Sequence, residues 1–185
     1  MGTINQFIME HYEGKSDWFV SFVNDVNNQM RIMDIVDKKQ YLAGIHPILK
    51  RPNEQFNGKE FVPRKIVLQY AKQLLAFQTA YLVGNPLTLT GNEKVVNAVK
   101  KVYKQGQYNK LDFDAVHSVN RYGNAYEYVY VKDKKIVSKL IDAADAYPVI
   151  DDDNDYIAFV ESYTVNNVTY YNVYYEDRVE RYSNS

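Results

Sequence analysis

The stretch that decides the fold runs from residue 63 to residue 89 and reads PRKIVLQYAKQLLAFQTAYLVGNPLTL. Its apolar side chains recur every three or four residues, which is the spacing of one continuous stripe along a helix. The stripe consists of Ile66, Tyr70, Leu74, Phe77 and Tyr81. Pro63 suits a first helical position, Gly84 suits the left-handed position past a helix end, and Pro86 bars continuation. The stretch therefore predicts a long central helix over about residues 63–83, around which the rest of the chain packs.

Weaker patterns on both sides predict four further helices and a set of strands. The helices are expected at residues 4–12, 18–42, 93–105 and 110–121, with Thr3, Ser16 or Asp17, Asn92 and Asn109 as their caps. The strands are expected at residues 125–131, 136–141, 147–150, 156–165, 168–175 and 178–182, where aromatic and β-branched residues recur. Residues 45–59 hold two prolines, two asparagines and a glycine, which predicts a loop. Helices followed by a Tyr-rich antiparallel meander predict an α+β fold, mainly helical over residues 1–123 and mainly β over residues 124–185.

The composition excludes several classes of protein. The chain of 185 residues contains no cysteine, so it forms no disulfide, zinc–thiolate site or thiol nucleophile. No apolar run approaches the ~20 residues that span a bilayer. Residues 1–14 lack the basic start and long apolar core of a signal peptide, so the sequence predicts a cytosolic origin and no membrane partner. Eighteen tyrosines suit half-buried strands and interfaces, because each buries a large ring and keeps a polar tip in water.

The net charge of −1 hides an asymmetry along the chain. Residues 1–132 carry 17 Lys and Arg against 12 Asp and Glu, a balance of +5, and residues 133–185 carry 5 against 11, a balance of −6. Two solvated faces of opposite sign are the simpler interpretation. The alternative is that the basic part of one copy faces the acidic part of the next, because such head-to-tail contacts close into rings.

A search for catalytic and metal-binding patterns returns little. The acidic run at residues 151–155 places carboxylates like the start of an EF-hand loop, but Tyr156 stands where the loop needs glycine and Ser162 where it needs a bidentate glutamate. A solvated turn between strands is therefore favoured over a cation site. The three histidines, His11, His46 and His117, are interpreted as surface or loop residues, and no phosphate-binding loop or nucleophile motif accompanies them. The sequence predicts no catalytic residue, no metal site and no cofactor.

The densest basic cluster has two interpretations. It consists of Lys94, Lys100, Lys101 and Lys104, with Lys110 close behind and Tyr103 and Tyr108 interleaved. Lysines among aromatic rings can bind nucleic acid or a neighbouring subunit. A solvated helix face is the commoner explanation.

Four sequence strings then follow one another in a fixed order. They are YLAGIHPI at residues 41–48, TAYLVGNPLT at residues 79–88, NRYGNAYEYVY at residues 120–130 and IDAADAYPVIDD at residues 141–152. The residues that carry most of the signal are Tyr81, Gly84, Asn85, Pro86, Tyr122, Gly123, Tyr126 and Glu127. In this order, ahead of a Tyr-rich meander, the strings resemble the N-terminal part of the tailed-bacteriophage portal proteins, specifically the SPP1-like portal family.

That resemblance implies a structural, non-catalytic protein of the virion. Portal proteins form a ring, usually of twelve copies, at one vertex of the capsid, through which double-stranded DNA is packaged and ejected. The implied partners are other copies of the chain, the terminase that holds the ATPase, the major capsid or scaffolding protein, head-completion proteins and the DNA itself. The implied site of synthesis is the cytoplasm of the bacterial host.

The resemblance covers the wing region of the family only. The expectation is therefore a portal wing over residues 1–185, without the stem, clip and crown that line the channel and face the terminase. No DNA-contact residue of the family can be carried over. The alternative is another phage virion or adaptor module without catalytic activity.

Overall fold

The computed structural model of the protein describes residues 4–184. Its helices are α1 Ile4–Tyr12, α2 Trp18–Val23, α3 Val26–Leu42, α4 Tyr70–Val83, α5 Glu93–Gly106 and α6 Tyr108–Tyr122, with a 3-10 turn at Pro47–Lys50. Its strands are β1 Glu54–Phe56, β2 Lys59–Phe61, β3 Tyr126–Lys132, β4 Lys135–Ile141, β5 Ala146–Ile150, β6 Tyr156–Val165, β7 Val168–Tyr174 and β8 Val179–Ser183. Apart from the short β1–β2 hairpin, helices precede strands, and the predicted α+β class is confirmed.

The chain folds into two compact units. Within the described residues, the first unit comprises residues 4–34, 125–128 and 139–184, and the second comprises residues 35–124 and 129–138.

The first unit is built on a four-stranded antiparallel meander in the order β5-β6-β7-β8. Val149, Val160 and Val173 are fully buried on its inner side, in one cluster with Trp18 and Phe19 of α2. Burial of such a side chain contributes about 1.5–3 kcal/mol. The β6–β7 turn at Asn166 and Asn167 has φ values of 52° and 65°, the left-handed geometry of a two-residue hairpin, as the sequence predicts.

A buried carboxylate also holds this sheet together. Glu161 of β6 is 8% exposed and faces Asn172 and Tyr174 of β7 and Lys139 of β4. Its Oε2 accepts hydrogen bonds from Asn172 Nδ2 at 2.9 Å and from Tyr174 Oη at 2.5 Å, while Lys139 Nζ lies 3.0 Å from Oε1. Burial alone would raise the pKa of Glu161, but these three donors together lower it. The carboxylate is therefore charged and fully partnered at neutral pH.

The second unit centres on the pair α4 and α6. Thr79 of α4 is completely buried against α6. Its hydroxyl donates to the carbonyl oxygen of Leu75 at 2.8 Å. It also lies 3.0 Å from His117 Nδ1 and accepts from Asn120 Nδ2 at 3.1 Å. Since the hydroxyl proton goes to Leu75, His117 Nδ1 is the donor in the second contact. One side chain thus links two positions of α6 to the backbone of α4.

The helix predicted over residues 18–42 is wrong as a single element, because it breaks between α2 and α3. Asn24 Nδ2 donates to the carbonyl oxygen of Val20 at 2.9 Å, which takes up an acceptor at the end of α2. Asp25 Oδ1 accepts from the backbone N–H of Asn27 at 2.9 Å and so caps the start of α3. Asparagine and aspartate compete with the helix in this way and favour its ends.

The predicted start of the central helix at Pro63 is also wrong, because α4 begins at Tyr70. Residues 63–69 have no regular structure, and Lys65 Nζ donates to the carbonyl oxygens of Leu49 and Arg51 at 3.1 and 2.5 Å. These bonds fasten the segment to the preceding loop. The apolar spacing continues through it, so periodicity alone places the helix start too early.

Local sequence signals also miss or misplace the ends of other helices and strands. The loop predicted at residues 45–59 contains the 3-10 turn and β1, and it continues into β2. Asn92 is the predicted cap of α5 and accepts from Lys94 N at 3.0 Å. Asn109 lies inside α6, because the chain turns at Gln107, whose φ of 54° is left-handed. The predicted cap Thr3 lies outside the described residues.

Replacing Glu161 by Gln is expected to lower the free energy of unfolding by about 1–3 kcal/mol at pH 7, because buried donors lose a charged acceptor. Since the folded state lowers this pKa, the contribution is complete above the unfolded value of about 4.3 and is lost as pH falls through the folded pKa. Urea unfolding measured from pH 7 to pH 3 should show the gap between the two proteins closing below about pH 4.5. The exposed Glu176→Gln is the matched control, and an equal loss in it would contradict the assignment.

Replacing Thr79 by Val keeps the side-chain shape but removes the hydroxyl that His117 and Asn120 share. The expected loss of stability is about 1–3 kcal/mol, because two half-buried donors are left without their acceptor. Chemical denaturation of this variant beside Thr88→Val, an exposed threonine in the same unit, measures the effect. Equal stability of Thr79→Val and the unmodified chain would show that water replaces the hydroxyl at no cost.

Candidate assembly surface

Helix α4 has two faces of different exposure. Thr79 lies on the face toward α6 and is completely buried. Helical spacing places an aromatic and aliphatic stripe on the opposite side of α4. It consists of Tyr70, Leu74, Phe77 and Tyr81, which are 63%, 67%, 71% and 81% exposed. We call these four residues the α4 stripe. Neighbouring rings of Phe77 and Tyr81 stack at 6.5 Å.

The sequence predicts the four residues of the α4 stripe correctly as one helical face but wrongly as buried, and Ile66, the fifth residue of the predicted stripe, lies ahead of α4. Helix α4 is apolar nearly all round, with Leu75 and Val83 on the side of Thr79. Either face could therefore have packed against the rest of the chain. The polar bonds of Thr79 select the α6 side, and the broader aromatic side is left in water. Monomeric proteins rarely expose a contiguous apolar patch of this kind, and such a patch is typical of an interaction surface.

The last residue of the α4 stripe, Tyr81, belongs to the second resemblance string, at residues 79–88. Gly84 was predicted to be left-handed, but its φ of −65° and ψ of −24° continue the helix. Its backbone N–H donates to the carbonyl oxygen of Ala80 at 2.8 Å, and a Cβ at Gly84 would lie 2.3 Å from that oxygen. Glycine is required at position 84 because a Cβ would clash with the carbonyl oxygen of Ala80, and not because the backbone there is left-handed. Asn85 and the exposed Pro86 then carry the chain away from α4.

The third resemblance string, at residues 120–130, contains residues with different structural roles. Tyr122 ends α6, and Gly123 is left-handed with a φ of 84°, as a helix end favours. Tyr126 begins β3 and packs its ring 5.3 Å from Phe159, while Glu127 is exposed. These residues have packing roles, and their function within the family stays a prediction.

The predicted basic cluster lies on one side of α5. Lys94, Lys100, Lys101 and Lys104 are all exposed, and none makes an ion pair within residues 4–184. Helical spacing places them on an arc of about a third of the helix circumference. This arc is called the α5 lysine face.

The aromatic residues near the α5 lysine face have other roles. Tyr103 packs its ring 5.2 Å from Tyr108, and Tyr108 Oη lies 2.7 Å from Ser138 Oγ. Lys110 is bound to Asp114 at 2.5 Å. The tyrosines are half-buried, so they do not form the exposed stacking platform that single-stranded nucleic acid requires. The four lysines are left as an electrostatic surface.

The acidic run and the histidines form no catalytic arrangement in the described chain. Asp151 Oδ1 accepts the backbone N–H groups of Asp153 and Asp155 at 3.1 and 2.9 Å, which closes a hydrogen-bonded turn. A shallow pocket of about 140 Å³ joins His11 to this turn and to Glu10, but no serine, threonine or second histidine lines it. Within residues 4–184, no group of three or more His, Cys, Asp or Glu is placed to hold a metal ion.

Two of the three histidines are less accessible than the sequence predicts. His46 is 8% exposed, and its Nε2 has no hydrogen-bond partner among the described residues. Its ring packs 3.9 Å from the ring of Tyr41. His117 is half-buried beside Thr79. Only His11 is exposed, as expected.

Comparison with known proteins identifies one family. The model of the family described as phage portal protein, SPP1 Gp6-like, matches residues 21–185 of the chain. No curated protein matches the sequence. None of the helices within the described residues has the length and apolar character needed to cross a membrane.

Proposed function

The chain belongs to the SPP1 Gp6-like family of phage portal proteins, and we propose that it supplies the wing of a portal ring for packaging and ejecting double-stranded DNA. The family is structural, and its members form rings at the capsid vertex. The proposal adds a ring of twelve copies. It also adds docking of terminase, of the major capsid or scaffolding protein and of head-completion proteins. In this proposal the terminase supplies the ATPase, and the chain is made in the cytoplasm of the bacterial host.

The observation that carries the proposal is the exposed α4 stripe. In a ring, each copy repeats the same two patches, one toward each neighbour. A stable interface needs about 800 Å² from each partner. Aromatic side chains bury about 150–250 Å² each, so the three aromatic residues of the α4 stripe alone supply roughly 400 Å² at their observed exposure. That is about half of what one side of such an interface needs.

A second copy of the chain is the occupant that we propose for the α4 stripe. The family assembles as a homo-oligomer, so every copy meets identical chains at high local concentration. Aromatic anchors are enriched at the centres of such interfaces. A ring also explains why the second unit leaves a broad apolar face in water while the first unit has a closed core.

The charge asymmetry supports a head-to-tail arrangement. The α5 lysine face belongs to the part of the chain with a balance of +5, and the acidic turn around Asp152 belongs to the part with −6. Opposite charges on neighbouring copies would fix the direction of assembly. The near-neutral total also suits a DNA conduit, because each phosphate that a protein neutralises adds salt-dependent affinity and would slow passage.

The alternative is a phage adaptor or other virion module that stays monomeric and binds a different protein through the α4 stripe. The two proposals differ in one measurable property, which is self-association of the chain.

Replacing Phe77 and Tyr81 by Glu is expected to abolish self-association, because both aromatic anchors of the α4 stripe become charged. Since both side chains are exposed, the variant should still fold, with an unchanged circular dichroism spectrum, and should lose only the stability that assembly adds. Sedimentation velocity over a concentration series, with negative-stain electron microscopy of the largest species, measures the effect. Replacing Gln73 and Gln78 by Glu adds the same charge to exposed positions outside the stripe and is the matched control. A chain that stays monomeric at every concentration would favour the adaptor alternative.

Reversing Lys100, Lys101 and Lys104 to Glu is expected to weaken the same assembly, mostly at low salt, because exposed charges are screened beyond about 10 Å at 0.1 M ionic strength. The control reverses Lys132, Lys134 and Lys135, which changes the net charge equally at an exposed turn. Assembly that depends on salt in the unmodified chain but not in the α5 variant supports the head-to-tail contact. Equal weakening of assembly by both triple variants would show that the change in net charge alone explains the effect.

A further inference from the structure

An open groove of about 940 Å³ lies at one end of the four-stranded meander of the first unit. It is lined by Ile4, by Asp151, by residues 155–159 and by residues 174–178. The β5–β6 turn and the β7–β8 turn both lie at this end, because the last residues of β7 pair with the first residues of β6. We call this feature the acidic groove.

Carboxylates outnumber cations in the acidic groove. Four carboxylates and one guanidinium line it, a balance of −3, and they belong to Asp151, Asp155, Glu176, Asp177 and Arg178. Arg178 is already paired with Asp177 and with Glu180. The exposed carboxylates of Asp155 and Glu176 have no cationic partner within residues 4–184. The groove therefore leaves negative charge available to a cationic partner from another molecule.

Aromatic rings also line the acidic groove. Tyr156 is 70% exposed there. The guanidinium of Arg178 lies 4.2 Å from the centre of the Tyr175 ring, so one ring of the groove already holds a cation over its face. Tyr175 Oη accepts a hydrogen bond from the buried Trp18 Nε1 at 3.4 Å, which ties that ring to the core. An ammonium is attracted to an aromatic face, and the aliphatic stem of a lysine packs on apolar surface, so this groove suits lysine side chains.

The α5 lysine face has the complementary charge and spacing. Its four lysines stand against one carboxylate on α5, that of Glu93, which gives a balance of +3. Lys94 and Lys101 are two helical turns apart, about 10.5 Å along the helix axis. The two turns that bear the carboxylates of the acidic groove are two strand spacings apart, about 10 Å across the sheet. Two lysines of one helix face can therefore reach both turns at once.

We propose that the acidic groove of one copy receives the α5 lysine face of a second copy. This inference rests on the self-association proposed above and names two surfaces that meet in it. The groove belongs to the first unit and α5 to the second, so each copy presents its groove to one neighbour and its helix to the other. Contacts between two different patches extend from copy to copy and close into a ring where the rotation allows. The opposite charges fix the direction of this contact.

The test uses engineered cysteines, because the chain has none of its own to give a background. Lys101→Cys, Asp155→Cys and Glu176→Cys are made separately in the full chain, and pairs of variants are mixed under mild oxidation. We expect Lys101→Cys to form a disulfide with one of the two groove variants about tenfold faster than Lys134→Cys does, because docking raises the effective concentration of the pair. Lys134 is an exposed lysine of the same unit as α5, so Lys134→Cys is the matched control. Peptide mass spectrometry identifies the linked residues.

A second arm reverses the charges on both surfaces. Lys100→Glu with Lys101→Glu should weaken assembly about tenfold at low salt, and so should Asp155→Lys with Glu176→Lys, because each change places like charges opposite one another. All four changes in one chain should restore assembly, measured by sedimentation velocity. The control combines the same groove reversal with Lys132→Glu and Lys134→Glu, which gives the same net charge and should restore nothing.

The outcomes separate this contact from assembly as such. A chain that assembles, but in which Lys101→Cys links to the groove no faster than Lys134→Cys, would overturn the contact and leave the proposed ring intact. Restoration of assembly by the control combination would also overturn it, because net charge would explain the effect. A disulfide within single chains of Lys101→Cys/Glu176→Cys, without a link between mixed chains, would mean that α5 reaches the groove of its own copy. A chain that neither assembles nor cross-links would overturn both proposals.

Discussion

The hydroxyl of Thr79 is the contact on which the second unit depends. It is completely buried, donates to the helix that carries it and accepts from His117 and Asn120 of α6. A buried donor without an acceptor costs about 1–3 kcal/mol, so these bonds fix which face of α4 meets α6. The α4 stripe is exposed as a direct result. One polar contact thus sets the surface to which we assign assembly.

The two units bury their apolar side chains to different extents. The first has a closed core in which Trp18, Val149, Val160 and Val173 are fully buried, and its buried carboxylate Glu161 has three partners. In the second unit only one apolar side chain within the described residues, Ile35, is buried. A helical layer that buries so little apolar surface gains little from folding alone. A partner on the α4 stripe would supply the missing burial, which is why assembly and stability of this unit should be coupled.

Where one local signal sufficed, the sequence predicted the fold well. The meander from β5 to β8 follows from alternating residues and from Asn166 and Asn167, which tolerate the left-handed hairpin turn. Gly123 and Asn92 behave as end signals for the same local reason. The errors arise where tertiary contacts compete. Lys65 is hydrogen-bonded to the preceding loop, and α4 begins only at Tyr70. Hydrophobic periodicity also does not show that the face with Thr79, and not the face with four large apolar residues, packs against α6.

The buried polar groups Glu161 and Thr79 serve the fold. Both are hydrogen-bonded, and each holds neighbouring elements together. The accessible chemistry is instead apolar on α4 and cationic on α5, on surfaces that the chain itself leaves uncovered. Such surfaces become useful when many copies repeat them, because a contact too small to hold a dimer is multiplied around a closed ring. Surfaces of this kind fit the phage portal family to which the chain belongs, whose members form rings.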